Sequence, residues 1–89
     1  MARITDADLE NIMLRMVRSL EALELPCDVE LLHGSKYYGN SFQLRRKEGR
    51  AAVGVDAGGF LGWTKSEAYE AIGTIARTLE DVSYYRSQL

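Results

Sequence analysis

The sequence predicts an α+β fold in which two helices cover one face of a three-stranded antiparallel sheet, in two layers. Apolar residues recur at helical spacing near both ends of the chain, and capping signals precede both segments. The middle contains short stretches in which apolar and polar residues alternate, separated by glycines. With 89 residues, we expect a single domain over 1–89 in the order helix, strand, strand, strand, helix.

The first helix is predicted over 6–24. Thr5 and Asp8 have the spacing of a capping box, and Pro26 marks the end of the helix because proline disfavours helical backbone in the preceding residue. Leu14 falls outside the apolar stripe, so we expect it to be exposed or in a subunit contact. The stripe consists of Leu9, Ile12, Met13, Met16, Val17, Leu20 and Leu23.

The first two strands are predicted around a hairpin. Residues 29–33 form the first strand, and Gly39-Asn40 is a typical two-residue turn pair. In the second strand Phe42 and Leu44 are expected to face the core. The alternate residues, which should share the outer face, are Gln43, Arg45 and Lys47.

The third strand and the second helix follow a second predicted turn at Gly49. Alternation at Val53 and Val55 predicts the strand, and 57–63 is expected to be a glycine-rich connection with buried aromatic residues. Thr64 and Glu67 form a capping box for a helix over 65–84. Its small residues, which predict close packing, are Ala68, Ala71, Gly73 and Ala76.

The composition limits the classes of protein to which this chain can belong. The apolar fraction is 46%, the charged fraction 27% and the formal charge −2, values typical of a globular domain. Residues 1–30 are acidic and 31–50 are basic. Cys27 is the only cysteine, which excludes an intramolecular disulfide and fits a cytoplasmic location. We expect neither a signal peptide nor a membrane span.

No catalytic or metal-binding motif is apparent. The glycine-rich stretch before Lys65 and Ser66 lacks the P-loop spacing, since Trp63 and Thr64 separate Gly62 from the lysine. Cys27 and His33 could pair only if the fold brought them together, and a buried cysteine with a strand-end histidine is the commoner outcome. The sequence therefore predicts a non-enzymatic protein without a cofactor or metal.

Two surfaces are candidates for binding. The basic outer face of the sheet could hold phosphates, stack a base on a tyrosine or meet an acidic protein surface, and it could equally be a solvated face. Its candidate residues are Tyr37, Tyr38, Gln43, Arg45, Lys47 and Arg50. Exposed Leu14, Tyr84 and Tyr85 form a candidate homodimer interface.

From Tyr37-Tyr38-Gly39 to the helix starting at 64–69, the chain resembles small uncharacterised proteins of tailed phages. Those proteins also have an N-terminal amphipathic helix that opens on Asp-Leu, a Tyr-Gly strand, a Gly-Gly segment and a closing helix. The resemblance implies a phage or prophage accessory protein in the host cytoplasm that binds a host or phage macromolecule. Nucleic acid or nucleotide binding on the basic face is the alternative.

The element order is also similar to that of the double-stranded-RNA-binding domain. That domain begins its last helix with a lysine cluster for phosphates, of which only Lys65 has a counterpart here. The first helix, which contacts RNA in that domain, is acidic in this chain. The likeness therefore concerns topology alone.

Overall fold

The computed structural model describes residues 3–25, 27–35, 39–46 and 60–89. Helix α1 spans Asp6–Ala22, and strands β1 (Val29–Ser35), β2 (Gly39–Arg46) and β3 (Phe60–Gly62) precede helix α2 (Lys65–Ser87). The strands form one antiparallel sheet in the order β1-β2-β3, with α2 packed against β2 and β3. The predicted α+β fold class is confirmed.

Helix α1 has defined caps at both ends. The Thr5 hydroxyl accepts a hydrogen bond from the Asp8 amide, and the Asp8 carboxylate accepts one from the Thr5 amide, which completes the predicted capping box. At the other end, Glu24 has a φ of 58° and the Leu25 amide donates to the Leu20 carbonyl. This left-handed termination ends the helix two residues earlier than predicted.

The hairpin differs from the prediction. Gly39 and Asn40 belong to β2, where Gly39 pairs with Ser35, so the predicted two-residue turn at Gly39-Asn40 is wrong. Beyond His33, the register shifts before this last pair. Gly39 has a φ of 59°, a left-handed conformation that favours glycine, and it adopts this conformation at the first residue of β2.

The third strand of the described sheet is Phe60–Gly62, inside the segment predicted to be a connection. The predicted turn at Gly49 and strand at Val53 and Val55 lie outside the described residues. Phe60 and Trp63 were expected to be buried, but both are exposed and their rings meet edge to face. Leu61 and Gly62 are buried here, and the Leu61 side chain belongs to the core.

Helix α2 begins as predicted and continues to Ser87. The Thr64 hydroxyl accepts from the Glu67 amide at 3.1 Å, the expected N-cap contact. The Glu67 carboxylate accepts from the Trp63 amide at 3.3 Å rather than from that of Thr64. This contact fixes the turn between β3 and α2.

The helices run parallel. At their N-terminal ends Lys65 and Asp6 form an ion pair at 3.0 Å, and near their C-terminal ends the Arg86 guanidinium donates to the Leu23 carbonyl at 3.2 Å. The core lies between the helices and one sheet face. Its residues are Leu9, Ile12, Met16, Leu20, Val29, Phe42, Leu44, Leu61, Ala68, Ile72 and Ala76.

Candidate functional site: an apolar groove beside the edge strand

A groove of about 510 Å³ runs between α1 and the sheet at the β1 edge. Because α1 packs mainly on α2, and α2 supplies most of the helix contacts to the sheet, the described residues do not fill the space between α1 and β1. We call it the α1–β1 groove. Its lining residues are Asp6, Leu9, Glu10, Met13, Leu14, Val17, Val29, Leu31, His33, Phe42 and Lys65.

The helix wall of the groove is aliphatic. Met13 and Val17 are one helical turn apart and half-buried at the margin of the core. Leu14 forms the outer rim and is 47% exposed. Met13 and Val17 belong to the part of the apolar stripe that the core does not fully cover, and Leu14 lies beside them outside the stripe.

The sheet wall comes from alternate residues of β1. Leu31 pairs with Leu44 and His33 with Phe42, so both lie on the helix-facing side of the sheet. The His33 and Phe42 rings stack at a centroid distance of 4.1 Å with 5° between their planes. An exposed imidazole thus covers one face of a buried aromatic ring.

Charge is concentrated at the end of the groove where α1 begins. Asp6 is paired with Lys65, which leaves the Glu10 carboxylate as the acid without an ion-pair partner among the described residues of the groove. An acid beside aliphatic side chains favours a ligand that carries an apolar group next to a base.

No group of three potential metal ligands occurs among the described residues. The Cys27 thiol lies 3.9 Å from the Glu21 carboxylate, while His33 stacks on Phe42, so they do not form a Cys-His pair. Among the described helices, none is long and apolar enough to cross a membrane.

One ion pair in the described structure is held by two hydrogen bonds. The Arg15 guanidinium on α1 donates to both oxygens of the Glu80 carboxylate on α2, at 2.7 and 2.6 Å. This hydrogen bonding lowers the pKa of Glu80 and raises that of Arg15. The ion pair links the two helices on the side of the pair that faces away from the α1–β1 groove.

The structure differs from the prediction in the residues exposed on the basic outer face of the sheet. Gln43 was expected to be exposed with Arg45, and this is wrong: its side chain is 5% exposed and donates to the Ser41 hydroxyl. The alternation of residues shows on which side of the sheet a side chain lies, but it does not show whether other residues cover that side. Arg45 is exposed, with Glu30 at 4.0 Å on the neighbouring strand. The other four candidates, Tyr37, Tyr38, Lys47 and Arg50, lie outside the described residues.

The three predicted interface residues are all exposed, Leu14 on α1 and the two tyrosines on α2. Tyr84 and Tyr85 are 63% and 70% exposed near the end of α2, where Arg86 reaches the Leu23 carbonyl. Leu14 precedes Leu23 by nine residues, about 13 Å along the helix axis. Leu14 is part of the groove rim and also lines, with Ser83 next to Tyr84, a second pocket between the two helices.

Sequence reasoning assigned Met13 and Val17 to the core and did not identify the groove. Periodicity shows which side of a helix is apolar, but not how closely the facing element approaches. Leu14 was one available signal, because an apolar residue next to Met13 but outside the stripe extends the apolar surface of the helix beyond the core-facing side.

Comparison with family models, with curated proteins and with solved structures finds no match for the chain.

Proposed function

We propose that the chain is a non-enzymatic binding protein that uses the α1–β1 groove to contact a protein surface carrying an aliphatic side chain next to a basic group. The observation that carries the proposal is the groove itself: aliphatic walls remain partly exposed beside an edge strand of the described sheet. Clefts with mostly apolar walls and few polar groups are typical ligand sites.

The preference for a protein partner follows from the shape and chemistry of the groove. Met13, Val17 and Leu31 offer contacts to aliphatic side chains, and Glu10 offers one charge-assisted contact at the rim. A nucleic acid would instead need cations for its phosphates. The resemblance to tailed-phage proteins supports a host or phage protein as a partner.

Nucleic acid binding on the outer sheet face remains the second candidate. Its support among the described residues is the exposed Arg45 side chain, whose charge is partly offset by Glu30. Phosphate contacts would make oligonucleotide affinity fall steeply as salt concentration rises. A titration of single- and double-stranded oligonucleotides with wild type and Arg45→Glu tests this candidate.

Site-specific photo-crosslinking tests the groove. Benzoylphenylalanine replaces Val17 inside the groove or, as a matched control, exposed Thr78 on α2, in bacterial cells expressing the chain. We expect protein adducts at position 17, identified by mass spectrometry, weakened by Glu10→Lys and absent at position 78. Equal adducts at both positions, or no protein adduct at position 17, would contradict the proposal.

A further inference from the structure

The outer side of α1 carries three exposed residues one helical turn apart: Glu10, Leu14 and Arg18. Leu14 is 47% exposed and lies midway between an acid and a base. In the described part of the structure, neither Glu10 nor Arg18 has an ion-pair partner. We call these three residues the α1 stripe, which is distinct from the apolar stripe of the same helix.

Two copies of the α1 stripe are complementary in charge when one copy runs antiparallel to the other. If a second α1 lies antiparallel to the first with the two Leu14 side chains opposite each other, Glu10 of each copy faces Arg18 of the other. A two-fold axis always produces such reciprocal contacts. The same pairing in a parallel arrangement would bring like charges together.

We infer that the α1 stripe is a homodimer interface, in which a second copy packs its α1 antiparallel along the groove rim. This inference rests on the proposed function, because the second copy supplies the protein surface with an aliphatic residue, Leu14, next to a base, Arg18. Leu14 and Glu10 belong to both the stripe and the groove, so the two surfaces are continuous.

The interface is small, and its affinity should be modest and sensitive to salt. Stable dimers usually bury about 1,200 Å² or more in total, which one pair of short helices does not readily supply. Exposed ion pairs weaken as salt screens them. We expect a concentration-dependent dimer at low salt that dissociates as salt is added.

Charge reversal provides the test, measured by sedimentation velocity at low salt. In Glu10→Arg, and separately in Arg18→Glu, two attractive pairs become two repulsive pairs, and we expect the association constant to fall about tenfold or more. The double variant Glu10→Arg, Arg18→Glu should dimerise again, because its pairs are merely exchanged. Glu70→Arg, an exposed acid on α2, is the matched control and should leave dimerisation unchanged.

Mixing the two single variants gives an independent readout, because Glu10→Arg presents only bases and Arg18→Glu only acids. We expect the mixture to form a heterodimer although neither variant dimerises alone. A monomeric wild type at high concentration would overturn the inference, and so would a dimer insensitive to both reversals. In either case, position-17 adducts to another protein would still support the proposed function, whereas their absence would overturn that proposal separately.

Discussion

The two helices approach the same sheet face to different depths. At the β3 end, α2 packs directly on β3 and β2, and a Cβ atom added at Gly62 would be 2.5 Å from the Glu67 Cβ in the first turn of α2. At the β1 edge, α1 leaves a groove of about 510 Å³. Both helices are amphipathic, so the difference comes from what faces each apolar stripe.

The tight side is built from small residues and the open side from larger ones. Ala68 and Ala76 let α2 approach its neighbours and are fully buried together with Ile72. Helix α1 directs Ile12 and Met16 into the core, while Met13 and Val17, on the other part of its wide stripe, face β1 across the groove. A helix that lies between two neighbouring elements can pack closely on one of them and leave its apolar side chains exposed toward the other, where a partner can bind.

The largest effect should come from a cavity on the tight side. Ile72→Ala removes a side chain with 0% exposure and should lower the free energy of unfolding by about 2–5 kcal/mol. The matched change beside the groove, Val17→Ala, should cost less than about 1 kcal/mol, because solvent already reaches that site. Urea denaturation of both variants measures the contrast, and equal losses would show that the groove is part of a filled core.

Gly62→Ala should be the next most damaging change. Gly62 has a φ of +146° and little space, so the alanine adds backbone strain to a clash with Glu67, together about 2–4 kcal/mol. Gly34 also has a positive φ, but a Cβ atom added there would be 3.6 Å from the Gly39 carbonyl oxygen, an ordinary contact. Gly34→Ala therefore adds strain without the clash, and a thermal melt in which it lost as much as Gly62→Ala would refute the close approach of α2.

Gly73→Ala should stabilise the protein, although its glycine lies between the helices. A Cβ atom there would meet the Ile12 Cδ1 at 3.8 Å, an ordinary contact, and alanine favours helix over glycine by about 0.5–1 kcal/mol. The expected result is a higher midpoint in a thermal melt. A lower midpoint would mean that the helices are closer together than the structure shows.

The smallest effect concerns the Arg15–Glu80 pair. Because the folded pKa of Glu80 lies below its ordinary value of 4.5, the pair adds stability above that value and loses it as the pH falls through the folded pKa. The small difference in melting midpoint between wild type and Glu80→Gln should be constant from pH 7 to about pH 5 and shrink in more acidic solution. A difference that grew on acidification would contradict this sign.

The sequence correctly predicted those elements whose formation depends on residues close together along the chain. The caps at Thr5 and Thr64 depend on residues three positions apart, and both formed. The turn at Gly39-Asn40 failed because its position depends on strand register, which distant pairs such as Val29 with Arg46 determine.

The candidate site depended on tertiary distances that the sequence does not encode locally. Gln43 alternates correctly with Phe42 and Leu44, yet it is buried because coverage of a face depends on the rest of the chain. The groove exists because α1 packs on α2 rather than down on β1. In contrast, the exposure of Leu14 was predicted from its place outside the apolar stripe.

Methyl NMR over a dilution series tests the second-copy contact most directly, with isoleucine, leucine and valine methyl groups labelled. As the concentration rises from micromolar to millimolar at low salt, we predict progressive shifts at Leu14 and Val17, with Ile72 and Leu61 in the core unchanged. These shifts should disappear in Glu10→Arg and return in Glu10→Arg, Arg18→Glu. Spectra independent of concentration, or shifts confined to Val82 and Leu89 beside the tyrosines, would contradict the account.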